Sequence, residues 1–329
     1  MPDIGCLGEA LIDFLAEPVR GPREGRRFSE NAGGAPANTA VAAVRLGVSA
    51  SFLGALARDA FGDFLCDELS TAGVGTEGVQ RPDDGRTALA FVFLDGSGER
   101  SFLFYGERAA HLLYRPESLP GGFLPSLRVL HLGSTNTLTD ERSAAATHTC
   151  VKRARALGVR TSFDINLRPP LWSDPRPMRP RIDRILPDIA ILKMSREEFL
   201  WMNETAPGPW LEEWFAASGR IALVTDGPRP IEYITRRARG RVPAWTVEVH
   251  DTTAAGDAFA AGFLVRAVEA ARDGEDLEAW LEEEDALVPA LRFAAAAGAL
   301  AAARPGSFAA MPWREEVDTF LESRRASPA

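Results

Sequence analysis

The sequence predicts an α/β fold in which a mostly parallel central sheet is covered by helices on both faces. Strand-like runs alternate with helix-like segments along most of the chain, the pattern of parallel sheets with helical crossovers. The 329 residues, 46% of them hydrophobic, can form one large α/β domain or two smaller ones. Two β-rich runs, 86–95 and 100–107, have no helical partner, which predicts a second, smaller sheet.

The amino-terminal third supplies strands and helices in turn. Strand-like segments are 3–16 and 50–57, and helix-like segments are 36–47 and 60–73. The β-rich runs are joined by Gly-Ser-Gly-Glu at 96–99, a hairpin signal. We expect this hairpin to form the small sheet together with parts of 11–31.

From Leu127 onward the alternation resumes. The predicted strands are 127–134, 160–166, 188–195 and 220–227, and helical patterns surround 197–202 and 209–218. A further hairpin is expected near 231–249, a strand over 246–253, a helix over 257–271 and an alanine-rich helix over 293–303. This order predicts that the sheet continues to the carboxyl-terminal part of the chain.

Composition excludes several classes of protein. The net charge of −9 argues against a nucleic-acid-binding surface. The sequence has no run of about 18 apolar residues, so no membrane span is predicted. The first residues do not resemble a signal peptide. Three widely spaced cysteines suit a reducing compartment, and the four histidines are scattered without metal-like spacing. We therefore expect a cytoplasmic enzyme with structural histidines.

One glycine motif is misleading. Residues 73–78 read Gly-Val-Gly-Thr-Glu-Gly, which matches the dinucleotide-binding pattern letter by letter. That pattern must follow a strand and open a helix, whereas this one ends a helix and is expected to enter a loop. A dinucleotide site is therefore not predicted, and no phosphate-binding P-loop motif is present either.

The segment 251–259, Asp-Thr-Thr-Ala-Ala-Gly-Asp-Ala-Phe, carries the strongest chemical signal. A turn of three small residues, Ala254, Ala255 and Gly256, precedes an apolar helix. Helix starts present free N–H groups that bind anions such as phosphate. Asp257 in the first turn makes sense beside a phosphate if it takes the proton of an attacking hydroxyl. The alternative is an ordinary aspartate that favours a helix start.

This segment resembles the carboxyl-terminal signature of the ribokinase-like (phosphofructokinase B) family of sugar kinases. Residues 31–47, with Gly33, Gly34 and Asn38, resemble the amino-terminal signature, more than 200 residues away. The resemblance implies a three-layer α/β/α core with a small β-sheet lid. It places the core at 1–10, 32–85 and 114–329, and the lid at 11–31 and 86–113. It also implies that Asp257 is the base and that the N–H groups of 254–256 stabilise the phosphoryl charge.

The resemblance also implies a sugar site. Asp13 would accept hydrogen bonds from two sugar hydroxyls, which suits a carboxylate, although an aspartate at a strand end can also serve a turn. The other residues expected to contact the sugar are Gly33, Gly34, Asn38, Phe104 and Arg168. Arg168 lies in an Asp-x-Asn-x-Arg segment after a central strand, where it would face a substrate oxygen or a nucleotide phosphate.

ATP and Mg²⁺ are implied as cofactors. The residues expected near the nucleotide are Lys193, Ser195, Thr225, Gly227, Gly256 and Ala295, and Glu198 is expected to organise Mg²⁺ through water. Three positions depart from the family pattern: Ser195 and Ala295 replace asparagine, and Pro230 replaces glycine. The adenine contacts are therefore less well defined than the phosphate chemistry.

A monovalent cation such as K⁺ is implied beside the anion site. The matching positions are Asp251, Thr253, Arg304 and Gly306, the last two in the loop 303–307. Carboxylate and carbonyl oxygens suit a hard cation.

Among sugars, the motifs resemble those of fructokinases most, which implies phosphorylation of a hexose, D-fructose. Kinases of 2-keto-3-deoxygluconate or ribose are the alternatives, because Gly106 stands where many fructokinases have arginine and His111 where aspartate is common. A different class, a sugar-binding regulatory protein with weak catalysis, would account for Ser195, Pro230 and Ala295. The exposed edge of the lid predicts a homodimer.

Overall fold

The computed structural model of the protein describes residues 2–17, 26–94, 100–206 and 208–325. Thirteen strands in this part of the chain form two sheets. The strands are β1 (Ile4–Leu7), β2 (Leu11–Ala16), β3 (Phe28–Gly33), β4 (Ala50–Ala55), β5 (Gly75–Gln80), β6 (Leu89–Leu94), β7 (Arg100–Tyr105), β8 (Val129–Leu132), β9 (Arg160–Asp164), β10 (Ile191–Ser195), β11 (Ile221–Asp226), β12 (Arg229–Thr235) and β13 (Arg239–Val242).

Eleven α-helices connect and cover the strands in the described ranges. They are α1 (Ala35–Arg45), α2 (Ala60–Thr71), α3 (Phe123–Ser126), α4 (Glu141–Ala156), α5 (Met178–Ile185), α6 (Arg196–Thr205), α7 (Trp210–Ala217), α8 (Ala255–Arg272), α9 (Leu277–Trp280), α10 (Glu284–Ala302) and α11 (Arg314–Arg325). The helices α1, α2, α7 and α8 agree with the predicted ones within a few residues at their ends, whereas α10 begins nine residues before the predicted alanine-rich helix over 293–303.

The large sheet has the strand order β13-β12-β11-β10-β9-β8-β1-β4-β5. Every pair from β11 to β5 is parallel, and β12 and β13 add an antiparallel edge. The chain continues from β1 to β4 on one side and later adds β8 on the other, so the strand order reverses at β1. In open α/β sheets, ligands bind outside the carboxyl ends of the strands at such a reversal. The predicted fold class is confirmed.

Two apolar clusters cover the opposite faces of the large sheet. Neighbouring residues of a strand point to opposite faces, so Cys6 joins one cluster and Leu7 the other. Helices α1, α8 and α10 build the first cluster, while α4, α5 and α7 contribute to the second. The sheet is thus buried on both faces, as its continuous apolar strands predict.

The helix α10 is long and apolar enough to cross a membrane by length and composition alone. However, 67% of its most apolar window is buried inside the protein. Its main packing partner is α8, with Gly262 of α8 lying against the backbone of Ala294. Packing between these two helices accounts for the alanine-rich composition.

The small sheet has the order β3-β2-β6-β7, with β2 and β6 parallel and the outer pairs antiparallel. Its strands come from the two ranges assigned to the lid, and the division into core and lid stays a prediction. The predicted hairpin turn at 96–99 lies outside the described residues. Phenylalanine rings cluster on one face, where Phe14 stacks on Phe91 with ring centroids 5.0 Å apart.

Three local predictions are wrong. The run 3–16 is two strands in different sheets, because Gly8–Ala10 redirects the chain at the end of β1. The glycine motif at 73–78 does not lead directly from a helix into a loop, because Gly75–Gln80 form the edge strand β5, which pairs with β4. Residues 246–249 form no strand despite their alternating pattern, since their apolar side chains line a cavity instead of a sheet face.

Candidate active site

A cavity of about 620 Å³ lies at the carboxyl ends of the central strands, between the large and small sheets. The small sheet contributes Leu11, Asp13, Ser101 and Phe104 to its lining. The large sheet, its helices and the loops between them contribute further lining residues, among them Glu9, Gly34, Asn38, Asn136, Asn166, Arg168, Lys193, Ala254, Gly256 and Asp257. The two sequence motifs, more than 200 residues apart, therefore meet in one cavity.

A hydrogen bond joins the two motifs directly. The Nδ2 of Asn38 on α1 donates to the Oδ2 of Asp257 on α8, with a distance of 2.8 Å. Only 8% of Asp257 is exposed, and burial raises the pKa of its carboxyl. The hydrogen bond from Asn38 and the positive charges of Lys193 and Arg168 oppose that increase. Asp257 is therefore a buried, oriented carboxyl that faces the cavity, which is what a proton acceptor needs.

The start of α8 has the geometry of an anion site. Ala254 precedes the helix with φ 62°, a left-handed conformation that is uncommon for a residue with a side chain. This conformation lets the chain turn sharply into the helix, whose first N–H groups have no partner inside the helix. Helix starts of this kind bind anions. Ala254 and Gly256 both line the cavity, so the anion would lie beside Asp257.

Lys193 brings a positive charge to the same place. Its Nζ donates to Oδ2 of the buried Asp164 at 2.6 Å. Burial alone would lower the pKa of Lys193, but the nearby carboxylates of Asp164, Glu198 and Asp257 together outweigh burial and raise it. A Cβ on Gly256 would lie 2.8 Å from this Nζ, so the ammonium group lies against the helix start. A protonated lysine here complements the negative charge of a phosphate.

Two carboxyl groups line the part of the cavity where the sugar is predicted to bind. Burial raises the pKa of Asp13 to about 6, although a hydrogen bond from the Ser307 hydroxyl at 3.3 Å acts to lower it. Burial also raises the pKa of Glu9 to about 7. The Ser134 hydroxyl, which lies 2.9 and 2.8 Å from the two carboxyl oxygens of Glu9, acts to lower it. Such carboxyl groups can exchange hydrogen bonds with several hydroxyls.

The glycine pair fits closely beneath these acids. A Cβ on Gly33 would lie 2.2 Å from Oδ2 of Asp13. Gly34 has φ 106°, and a Cβ there would lie 2.6 Å from the carbonyl oxygen of Glu9. Side chains at either position would displace the two acids, which explains why the motif requires glycine.

Arg168 lines the cavity, while Glu198 and Ser195 do not. The Ser195 side chain accepts from the N–H of Glu198 at the start of α6, and Glu198 accepts from the N–H of Ser195 in return. The other Glu198 oxygen accepts from the N–H of Leu167 at 2.6 Å. Glu198 therefore holds the loop that carries Arg168, and its expected contact with Mg²⁺ through water stays a prediction.

A second, apolar cavity of about 350 Å³ adjoins the first. Thr252 and Gly256 line both cavities, so a ligand can extend from one to the other past the start of α8. Of the residues expected near the nucleotide, Thr225, Gly227, Gly256 and Ala295 line it. Its apolar walls suit a flat heteroaromatic base such as adenine: Trp245, Val247, Val249, Phe259 and Ala302. Pro230 is exposed on β12 and is not among the lining residues.

Asp251 connects two loops next to the anion site. Its Oδ1 accepts from the N–H of Thr253 at 2.7 Å, and its Oδ2 accepts from the N–H of Gly306 at 3.2 Å. The Arg304 side chain points away and pairs with Glu316 at 2.6 Å. Among the described residues, no three His, Cys, Asp or Glu side chains form a metal cluster. A cation at this place would therefore depend on backbone carbonyl oxygens. The monovalent-cation site stays a prediction.

Sequence reasoning overlooked several residues of the site. Glu9, Asn136, Asn166 and Asp164 lie in or behind the cavity but were given no role. Asp164 and Asn166 stand inside the Asp-x-Asn-x-Arg segment at the end of β9, and Glu9 follows the end of β1, so their polar character at a strand end is a usable signal. Asn136 had no such signal, because the short 3₁₀ turn Asn136–Leu138 brings it into the site. Its Oδ1, like that of Asn38, has no hydrogen-bond partner in the described structure.

Comparisons with known proteins agree with this geometry. The family model described as pfkB family carbohydrate kinase matches residues 1–314. Probable fructokinase-3 of Arabidopsis thaliana is 37% identical over 98% of this chain and 92% of its own length. A fructokinase of Xylella fastidiosa with bound ATP has a TM-score of 0.90 at 40% identity, covering 98% and 99% of the chains. A fructokinase double mutant of Vibrio cholerae, bound to fructose, ADP and potassium, has a TM-score of 0.82 at 27% identity, covering 98% of each chain.

Proposed function

This chain belongs to the pfkB family of carbohydrate kinases, and we propose that it transfers the γ-phosphoryl group of ATP to a hydroxyl of D-fructose. The name of the plant relative and the two fructokinase structures support this choice of sugar and nucleotide. The observation that carries the proposal is the hydrogen bond between Asn38 and Asp257 inside the cavity. It holds a buried carboxyl next to an anion site, where a hydroxyl and a phosphate would react.

In the proposed reaction, Asp257 takes the proton of the sugar hydroxyl as its oxygen attacks the γ-phosphorus. The N–H groups of 254–256 and the Lys193 ammonium stabilise the negative charge that moves through the transition state. The small sheet contributes Asp13 and Phe104 above the sugar and separates it from bulk water. Exclusion of water matters because water would otherwise compete as the phosphoryl acceptor.

The sugar would be held by groups on both sheets. Asp13 and Glu9 exchange hydrogen bonds with its hydroxyls, and the free amide oxygens of Asn38 and Asn136 accept from others. Arg168 is an exposed residue that lines the cavity, and it would face a sugar or phosphate oxygen.

ATP would place its adenine in the apolar cavity and its phosphates at the start of α8. Mg²⁺ would arrive with the phosphates and keep several of its waters, with Glu198 as the nearby acid of the family pattern. A potassium ion is named for the Vibrio cholerae structure, and Asp251, Thr253, Arg304 and Gly306 are the matching positions in this chain. For Arg304 only the backbone carbonyl would serve.

A coupled assay of ADP formation tests the proposal. D-fructose, D-ribose and 2-keto-3-deoxygluconate are each supplied with ATP and Mg²⁺, and we expect the highest kcat/KM for fructose. A higher value for one of the other two would reassign the substrate within the family. Calorimetric binding of fructose without turnover of any acceptor would favour a regulatory protein instead.

We also propose a homodimer that forms through the small sheet. The strand β7 is an edge strand, and its Leu103 and Tyr105 are 47% and 57% exposed. An exposed apolar edge of this kind favours pairing. A measured mass of one chain by light scattering, unchanged by Leu103→Glu, would contradict the dimer. The free cysteines Cys6, Cys66 and Cys150 support the cytoplasm as the location.

A further inference from the structure

A third cavity, of about 400 Å³, lies beside the sugar cavity. Five residues line both: Leu11, Phe104, Asn136, Pro170 and Leu171. These residues form a shared wall at the side of the sugar cavity that is remote from the adenine cavity, since none of them lines the latter. Nothing in the proposed reaction of a single hexose uses the space behind this wall.

The lining of the third cavity combines hydrogen-bonding groups with apolar surface. Polar groups come from His111, Thr139 and Ser173, and an aromatic ring comes from Tyr105. Glu107 and Asp140 add carboxylates, and no lysine or arginine is among the described residues that line it. This composition disfavours an anionic ligand, whereas the hydroxyls and C–H faces of an uncharged sugar ring match it.

His111 is the observation that points to a ligand. It is only 9% exposed, yet its ring makes no hydrogen bond to any described residue. Burial lowers the pKa of His111 to about 4, so the ring is neutral and offers one donor and one acceptor. In the other deeply buried histidine, His131, Nδ1 pairs with Ser162 at 3.0 Å, whereas Nε2 is buried without a partner. Neither ring nitrogen of His111 is among the described buried polar atoms that lack a partner, so both are open to the cavity, where a bound ligand can exchange hydrogen bonds with them.

We propose that the third cavity is a subsite for an uncharged glycosyl substituent on the acceptor sugar, with His111 as its hydrogen-bonding residue. This inference rests on the proposed function, because it extends the acceptor of the same reaction to fructose-containing disaccharides. The chemistry is unchanged: the acceptor oxygen bonds to the γ-phosphorus, the bond from phosphorus to ADP breaks, and the hydroxyl proton passes to Asp257. Phe104, which lines both cavities, would pack against the two linked rings.

A substitution at Gly106 can block the subsite without altering the sugar cavity. It lines the third cavity but not the sugar cavity, and a Cβ there would meet no atom within 4 Å. A large side chain can therefore be introduced to fill the subsite while the fructose position stays intact. Gly121 is a matched control, because its Cβ would also meet nothing within 4 Å and it lines none of the three cavities.

The experiment compares fructose with sucrose, turanose and lactulose, which carry the second ring on different fructose hydroxyls. We expect the wild type to phosphorylate at least one of these disaccharides. His111→Phe and Gly106→Phe should each lower kcat/KM for that disaccharide by about tenfold or more. His111→Phe removes a hydrogen bond to the second ring, and Gly106→Phe fills the space that this ring would occupy. Both variants should retain fructose kcat/KM within about twofold, as should Gly121→Phe. His111→Gln, which keeps a donor and an acceptor, should restore part of the disaccharide activity.

Two results would overturn the subsite. One is a preparation that phosphorylates fructose but neither binds nor phosphorylates any of the disaccharides. The other is an equal loss for fructose and disaccharide in His111→Phe with an unchanged melting temperature, which would assign His111 to the sugar site itself. If fructose is not phosphorylated at all, the proposed function fails. Calorimetric binding of the disaccharides to wild type and His111→Phe then decides the subsite separately.

Discussion

Replacement of Asp257 by asparagine tests the central proton transfer with minimal change in shape. The Oδ1 of an asparagine can still accept the 2.8 Å hydrogen bond from Asn38, and the charges of Lys193 and Arg168 stay in place. Only the ability to take a proton is lost. General-base catalysis contributes roughly 10²- to 10⁴-fold, so we expect kcat to fall by that factor, equivalent to about 3–5 kcal/mol of activation free energy.

The same variant should not lose stability. Burial raises the pKa of Asp257 in the folded state above its unfolded value, so the group favours folding at low pH. That contribution is lost as pH rises through the folded pKa, and at pH 8 the ionised carboxyl opposes folding. A neutral asparagine removes this cost. The melting temperature of Asp257→Asn at pH 8 should therefore equal or exceed that of the wild type.

The assay is coupled ADP formation with saturating ATP and varied fructose, and the melting temperature is measured on the same samples. A kcat within about threefold of the wild type would refute Asp257 as the base, given the factor expected above. A large loss of kcat together with a much lower melting temperature would assign Asp257 a structural role instead.

Three further predictions concern other parts of the site. Lys193→Met leaves Asp164 buried without its partner, so the free energy of unfolding should fall by about 3–5 kcal/mol in urea titrations, less at acid pH where Asp164 is protonated. A variant as stable as the wild type at pH 8 would contradict this. Ala295→Leu narrows the apolar cavity, so KM for ATP should rise roughly tenfold with fructose KM unchanged. Equal changes in both KM values would argue against adenine there. Because burial raises the pKa of Glu9 to about 7, wild-type stability should decrease as pH rises through 7, and Glu9→Gln should flatten this dependence in melting curves.

The sequence predicted the fold class because alternation of strands and helices is a local pattern that also limits topology. It also predicted which residues meet at the anion site, since Asn38 and Asp257 both stand in motifs that require small neighbours. It failed where local pattern and tertiary packing disagree. Residues 246–249 alternate like a strand, but their apolar side chains cover a cavity.

Residues without a local signal were harder to find. Asn136 enters the site only through a short turn after β8, and Asp164, which was given no role, binds the predicted Lys193 from the neighbouring strand. The isolation of His111 follows from the surroundings of a 3₁₀ turn, Ala110–Leu113, that sequence patterns do not describe. Such features depend on contacts between distant segments, which spacing along the chain does not encode.

The continuity between β3 and α1 has a mechanical consequence. Only Gly34 separates the last residue of β3 from α1, so a displacement of the small sheet would be passed to the first turns of this helix, which carry Asn38. Asn38 in turn orients the carboxyl of Asp257. The position of the small sheet and the orientation of the proton acceptor are thereby linked through the start of a single helix.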